Sequence, residues 1–468
     1  MTEAAAVPRT PRKVIMVAVV AALGGFLFGF DSAVINGAVD AVQGQFGLGS
    51  VLLGFTVSCA LLGAMIGAWG AGPFADRQGR VRAMIVAAVL FAVSSVGSGL
   101  AFGVVDLIAW RLIGGIGVGM ASVLAPAYIA EVSPAHSRGR LGSLQQLAIV
   151  LGIFTALLSD ALIAAVAGGA SEVTWLGLEA WRWMFLAEVI PAVVYGVLAW
   201  SLPESPRYLV AKNEFAKAGK VLTDVVGLPT KAAVEDKIAA IKETINLETR
   251  QGLHTLTGGR YWLLPIVWVG ILLSVFQQFV GINVIFYYST SLWRSVGFTE
   301  ADSFTVTVIT SITNIAVTIV AIALVDKIGR KPLLLAGSTG MTLALGLMAL
   351  CFSQATGTGE DVSLPQPWGT VALIAANLFV VSFGASWGPV VWVLLGEMFS
   401  NKMRAVALSV AAAAQWGANF LVTTTFPALA EIGLVLAYGL YAFFALLSFF
   451  FVWRFVKETK GKELEAMQ

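Results

Sequence analysis

Charged residues are scarce in this sequence: Asp, Glu, Lys and Arg make up 12% of its 468 residues, about half the share usual in a soluble domain. Such a chain cannot dress a globular surface of this size in polar groups, so its solvent is expected to be mostly lipid. The net charge of +2 builds no basic field, and nucleic acid is not an expected partner. Histidine and cysteine are almost missing, with two of each. Cys59 and Cys351 each sit in an apolar run, where cysteine is a small core residue, and they form neither a disulfide framework nor a metal site. His136 and His254 lie between apolar runs. No metal cluster, nucleophile–base pair or nucleotide motif is present, so an enzyme is the least favoured class and no cofactor is expected.

Long apolar runs are what the chain does have. A membrane-crossing helix needs about 20 mostly apolar residues, because the hydrocarbon core is about 30 Å thick and each residue rises about 1.5 Å. Twelve runs qualify, at 14–39, 51–73, 83–103, 106–130, 141–168 and 181–202, then at 262–289, 303–325, 332–354, 368–396, 405–427 and 433–456. The first follows Arg12-Lys13 in the manner of a secretory signal, but its length predicts an uncleaved span. The fold class expected is therefore an all-α membrane protein with 12 transmembrane helices.

Composition divides the chain into three parts. Residues 203–260 carry nine Lys/Arg and seven Asp/Glu, and Val234, Ile238, Ile241 and Ile245 recur there at helical spacing. This predicts a helical linker beside the membrane, between a first unit at 1–202 and a second at 261–468. Basic residues concentrate on the cytoplasmic side of membrane proteins. With the N-terminus inside, 26 of the 29 Lys and Arg fall on that side, the exceptions being Arg111, Arg182 and Arg294. Both termini are expected to be cytoplasmic.

The two units repeat each other, as the halves of transporters often do. Asp76-Arg77-Gln-Gly79-Arg80 after the second run returns 250 positions later as Asp326-Lys327-Ile-Gly329-Arg330 after the eighth. Glu131 is followed seven residues on by Arg138, and Glu397 seven residues on by Arg404. Pro203-Glu204-Ser205-Pro206-Arg207 follows the sixth run, and Lys457-Glu458-Thr459 follows the twelfth. Acids and bases at helix ends can pair between neighbouring helices and gate one face of a transporter. They can also serve only as positive-inside anchors.

Polar groups inside the runs mark candidate sites. A buried amide is costly unless paired, and Gln145, Gln146, Gln277, Gln278, Asn283, Asn314, Gln415 and Asn419 all lie in runs. Amides both donate and accept, as sugar hydroxyls do; equally, they can cross-link helices. Gly281, between Gln278 and Asn283, predicts a discontinuous seventh span. The glycines at 63, 67, 70, 114, 115, 117 and 119 are expected to allow close helix packing. A carboxylate in a span is a functional candidate by default, and Asp31, Asp160 and Glu188 qualify. Arg111 enters its span from the same side as Asp31.

The Asp-Arg-x-Gly-Arg loop, Pro203-Glu-Ser-Pro-Arg207, Gln277-Gln278-Phe-Val-Gly281-Ile-Asn283 and Gly388-Pro389-Val-Val-Trp392 resemble the sugar porter family of the major facilitator superfamily over nearly the whole chain, most of all its bacterial glucose–proton symporters. The resemblance implies a major facilitator fold of two six-helix bundles joined by a cytoplasmic helical linker. It implies import of a hexose, first of all glucose, with a proton across a bacterial inner membrane by a monomer in the lipid bilayer. It places sugar ligands at Gln146, Gln277, Gln278, Asn283, Asn314 and Trp392, and wall contacts at Phe28, Tyr287, Gln415, Trp416 and Asn419. Asp31 is the implied proton site, with Arg111 its partner; Glu188 matches a glutamate of the xylose symporter, Asp160 is less expected in the resemblance, and each is open as a second proton site or as a neutral helix-to-helix hydrogen-bond partner. Gating is implied for Asp76, Arg77, Arg80, Glu131, Arg138, Glu204 and Arg207, and in the second half for Asp326, Arg330, Glu397, Arg404 and Glu458. A uniporter of the same fold is the alternative, against which Asp31 argues. A sugar sensor would carry long cytoplasmic tails, and a multidrug antiporter would have no use for the amides.

Overall fold

A computed structural model describes residues 11–134, 137–248, 256–258, 262–356, 363–399 and 403–459; of these, the side chains at 138–140, 246–248, 325–326 and 404–405 lie outside the description. Twelve of its helical segments are long and apolar enough to cross a membrane. In the first half these are α1 (Arg12–Phe46), α2 (Ser50–Gln78), α3 (Arg80–Gly99), α4 (Val104–Val132) and α5 (Arg138–Ala167), then a sixth span in two pieces, α6 (Ala180–Ala187) and α7 (Val189–Trp200). The short helices α8 (Pro206–Ala211), α9 (Phe215–Val221) and α10 (Lys231–Glu248) follow. The seventh span is broken into α11 (Pro265–Phe279), α12 (Ile282–Tyr287) and α13 (Ser289–Arg294). Then come α14 (Glu300–Ile328), α15 (Arg330–Phe352), the tenth span as α16 (Trp368–Gly384) and α17 (Trp387–Met398), α18 (Arg404–Ile432) and α19 (Leu434–Phe455).

Backbone chemistry sets these limits. Pro206 and Pro265 each open a helix at its first turn, where a missing N–H costs nothing. Ser205 caps α8 by accepting from the Arg207 and Tyr208 amides. Gly281 stands at φ 80° between α11 and α12, a left-handed turn that other residues adopt only with strain. The seventh span therefore breaks where its glycine falls.

Small residues bring α2 and α4 together. A Cβ on Gly63 would collide with the Leu112 carbonyl oxygen, and one on Gly115 with that of Ala60. No larger residue fits at either backbone crossing. Gly70, expected to share this role, has open space where a Cβ would stand, with nothing within 4 Å, so the close approach ends before it. The Ile238–Ile241–Ile245 stripe of α10 packs on Leu209, Val210 and Ala218 of α8 and α9. Val234 joins Leu222 and Val226. The linker's apolar face is thus covered by its own helices.

The apolar core is divided unevenly. One buried cluster joins Phe30–Val42, Leu48–Leu61 and Trp181–Phe185 of the first half to α11–α19 of the second. A second cluster, including Val14–Leu27 and Val118–Val132, lies toward the face where the described chain begins and ends, here called the face of the termini. Trp416 of α18 packs against both clusters. The halves therefore share a core at the face opposite the termini.

Candidate functional site

Three groups of polar side chains stand out along this interface. The first is the amide chain of the broken seventh span. Gln277 Nε2 donates to the Trp387 carbonyl at 2.9 Å and to that of Gly388 at 3.3 Å. Gln278 Nε2 donates to Gln277 Oε1 at 3.4 Å, and Asn283 Nδ2 donates to Gln278 Oε1 at 2.7 Å. Gln277 thus bridges α11 to α17, while Gln278 and Asn283 are joined across the Gly281 turn. Asn314 on α14 is buried, its Oδ1 3.5 Å from where a Gly384 Cβ would stand.

The other expected sugar contacts sit on α1, α5, α12, α17 and α18. Asn419 is buried and accepts from Thr423 at 3.1 Å. Phe28 meets Trp416 with ring centroids 5.6 Å apart, an aromatic contact between the halves. Gln146 and Gln415 are half-buried. Trp392 is 42% exposed, whereas its neighbour Trp387 is fully buried and donates to the Leu334 carbonyl and to Ser338. The sequence reading passed over Trp387, whose indole anchors α17 to α15.

The second group is ionisable. Asp31 on α1 and Arg111 on α4 are both buried and line one small cavity together with Ser32 and Tyr287. They make no direct ion pair among the described residues; instead the Arg111 guanidinium lies 5.6 Å from the centroid of the Phe185 ring. Glu188 stands at the break between α6 and α7 and accepts from Ser95 at 2.9 Å. Asp160 is fully buried elsewhere, against the Gly37 backbone and Met184.

The third group lies at the two faces. At the face opposite the termini, Asn36 Nδ2 donates to the Phe286 carbonyl at 2.8 Å, and the Thr290 amide and hydroxyl donate to Asn36 Oδ1 at 3.3 and 2.5 Å. One turn along α1, Asp40 accepts from Ser291 at 2.5 Å and from Arg294 at 2.7 Å. The Ala170 amide donates to Glu300 at 2.8 Å. Each of these bonds joins the two halves. None of these bonds was expected from the sequence, although Arg294 stood out as one of three basic residues away from the side of the others.

At the face of the termini each half carries the same knot. Arg80 pairs with Glu131 at 3.2 Å and with Asp76 at 2.8 Å, and Arg207 reaches Glu131 at 3.9 Å. Glu204 accepts from the Arg80 and Val81 amides, and the Ser205 hydroxyl donates to Glu131. In the second half Arg330 pairs with Glu397 at 2.8 Å. Glu458 accepts from the Arg330 and Lys331 amides. Arg77 is exposed, and its carbonyl accepts from Tyr208. The side chains of Arg138, Asp326 and Arg404 lie outside the described residues.

The family described as sugar (and other) transporter matches over residues 17–468. The chain is 60% identical over 456 residues to a glucose transport protein of Synechocystis, covering 97% of each. It is 38% identical over 487 residues to the D-xylose–proton symporter of Escherichia coli, covering 97% of this chain and 94% of that protein. In structure it is similar to the Escherichia coli xylose transporter in a partially occluded inward-open conformation, with a TM-score of 0.83 at 36% identity over 97% of this chain and 100% of that one. The same symporter bound to 6-bromo-6-deoxy-D-glucose gives a TM-score of 0.79 at 37% identity, over 97% of this chain and 98% of that one.

Proposed function

Because this chain belongs to the sugar transporter family of the major facilitator superfamily, we propose that it carries glucose into the cell together with a proton by alternating access. The observation that carries this reading is the pairing of two sites of different chemistry. An amide chain suited to hydroxyls lies on α11 and α12, and a buried carboxyl faces a buried guanidinium across a cavity between α1 and α4. The identity to a glucose transport protein supports the hexose, and that to a xylose–proton symporter supports the coupling ion.

In this reading Gln146, Gln277, Gln278, Asn283, Asn314 and Trp392 hold the sugar, with Phe28, Tyr287, Gln415, Trp416 and Asn419 as walls. Sugar hydroxyls displace amide–amide bonds such as Asn283 to Gln278, so a desolvated amide exchanges one partner for another and loses none. Asp31 takes the proton. An ionised carboxylate in a membrane interior is costly without a partner, so Arg111 holds it while charged and is released when it is neutral. Glu188, bonded to Ser95, is the second candidate for the proton.

The remaining parts of the reading concern placement. The units are a first bundle at 1–202, a cytoplasmic linker at 203–260 and a second bundle at 261–468. The face of the termini is the cytoplasmic one in a bacterial inner membrane, and the monomer in lipid is the working unit. The conformation is then closed outside by the Asn36, Asp40 and Glu300 bonds. The knots around Glu131 and Glu397 keep the inner ends of each bundle in register while the bundles rock.

One proton crossing a potential of 100 mV releases about 2.3 kcal/mol, enough to concentrate a neutral sugar roughly 50-fold. Protein reconstituted in liposomes should accumulate glucose when a pH gradient is imposed, and Asp31→Asn should bind and equilibrate glucose without accumulating it. A wild type indifferent to the gradient would make the protein a uniporter. Accumulation by Asp31→Asn would move the proton site elsewhere.

A further inference from the structure

We infer that Tyr287 of α12 is joined to Asp31 by a water held in the cavity between them, and that this link tells the sugar site whether Asp31 carries its proton. The inference rests on the proton-coupling reading and names the route by which coupling reaches the sugar.

Space and polarity point to the water. The cavity measures about 10 Å³, at the lower end of what one molecule needs, and such a water needs about 2–4 polar partners. Asp31 and Ser32 of α1, Arg111 of α4 and Tyr287 of α12 supply them, with Val57 and Val118 closing the apolar sides. The Arg111 Nε–H is buried and has no hydrogen-bond partner among the described residues. A buried donor in that condition costs about 1–3 kcal/mol, more for a charged group. A bridging water satisfies it and joins guanidinium to carboxyl.

Connectivity carries the argument to the sugar. Tyr287 lines the same cavity as Asp31 and Ser32. Asn283, one turn earlier on the same six-residue helix, is bonded to Gln278. One short helix therefore has the amide chain at its start and the proton cavity at its end. The other titratable groups that feel this cluster are Glu188, Cys59 of α2 and Tyr288.

The direction of hydrogen bonding is what changes. When Asp31 is ionised, the water donates to its carboxylate and accepts from the Tyr287 hydroxyl. When Asp31 is protonated, its O–H donates to the water, which donates to the Tyr287 oxygen, and the phenolic O–H turns away from the cavity. The proton stays on Asp31 throughout. Only the orientation of the chain reverses, and with it the donor that Tyr287 and α12 present to the sugar.

Two substitutions break the link in different ways. Tyr287→Phe removes the hydroxyl and keeps the ring; Val57→Ile fills the cavity without touching a polar group, and Val118→Ile does so from α4 should Val57→Ile not fold. In liposomes, Tyr287→Phe and the cavity-filling variant should each lose at least 5-fold of the pH-gradient-driven glucose accumulation. The cavity-filling variant should keep gradient-free glucose exchange. Glucose affinity, which should vary with pH in the wild type, should become independent of pH in both. Wild-type accumulation in either variant overturns the inference, as does a Tyr287→Phe that weakens glucose binding yet keeps the accumulation ratio. Accumulation by Asp31→Asn would fail the underlying reading instead, so the two failures are separable.

Discussion

Arg80 and Arg330 stand 250 positions apart and make the same set of bonds. Each guanidinium grips a glutamate seven residues before the next arginine of its repeat, Glu131 at 3.2 Å and Glu397 at 2.8 Å. Each backbone amide is capped by a second glutamate, Glu204 at 2.9 Å and Glu458 at 3.1 Å. The glycine before each arginine has φ near 100°, at Gly79 and Gly329, which frees the turn to aim its amides at that second carboxylate. The Arg330 side chain is 9% exposed, so the pair is better shielded than a surface bridge.

Glu397→Gln should therefore destabilise the second half. Hydrogen bonds to charged groups contribute about 1.5–3 kcal/mol, and Glu397 also accepts from Thr459 at 2.6 Å. Thermal unfolding in detergent should show a lowered midpoint, and a double-mutant cycle with Arg330→Met should show coupling. Glucose binding should survive while uptake falls. An additive cycle would reduce the knot to a pair of anchors.

Gln278→Ala should weaken glucose binding with the fold intact. Its amide is buried and joins Gln277 to Asn283, and losing such a partner costs about 1–3 kcal/mol, roughly 5- to 150-fold in affinity. Calorimetry on Gln278→Ala and Asn283→Ala decides the matter. Unchanged affinity in both would place the sugar elsewhere.

Opening of the face opposite the termini should follow the loss of Asn36. That side chain makes three bonds to α12 and α13 and neighbouring backbone, each worth about 1 kcal/mol net. Asn36→Ala should raise the population open at this face by about 5-fold per bond lost, seen as faster labelling of a cysteine introduced at Ser291. Asp40→Asn should act in the same direction but less, because the Arg294 pair is half-exposed and screened by salt. Labelling rates equal to the wild type would remove the latch.

Glu179 predicts a pH dependence outside the membrane. Burial alone would raise its carboxyl, but a backbone hydrogen bond, Arg182 at 2.6 Å and Gln45 outweigh it and hold the group below its ordinary 4.5. A depressed carboxylate stabilises the fold above its unfolded value, and that contribution is lost as pH falls through the folded one. Acidification below about pH 4.5 should loosen the loop before α6, measured as amide exchange at 170–180, and Glu179→Gln should flatten that response.

Sequence alone determined what depends on the solvent and on local backbone chemistry. Lipid demands long apolar helices, so twelve spans could be counted from composition. A glycine needing positive φ had to interrupt the seventh span. The repeats at Asp76–Arg80 and Asp326–Arg330 had to occupy like places in two like halves. Pairing across the halves was a different matter. Asn36 meets Thr290 and Asp40 meets Arg294 because two distant helices cross at one end. No local periodicity encodes such a crossing. Likewise Asp31 and Arg111 were legible as a buried pair of charges, yet their separation by a cavity depends on how α1, α2, α4 and α12 pack, and packing at the scale of one water is fixed only when all four are in place.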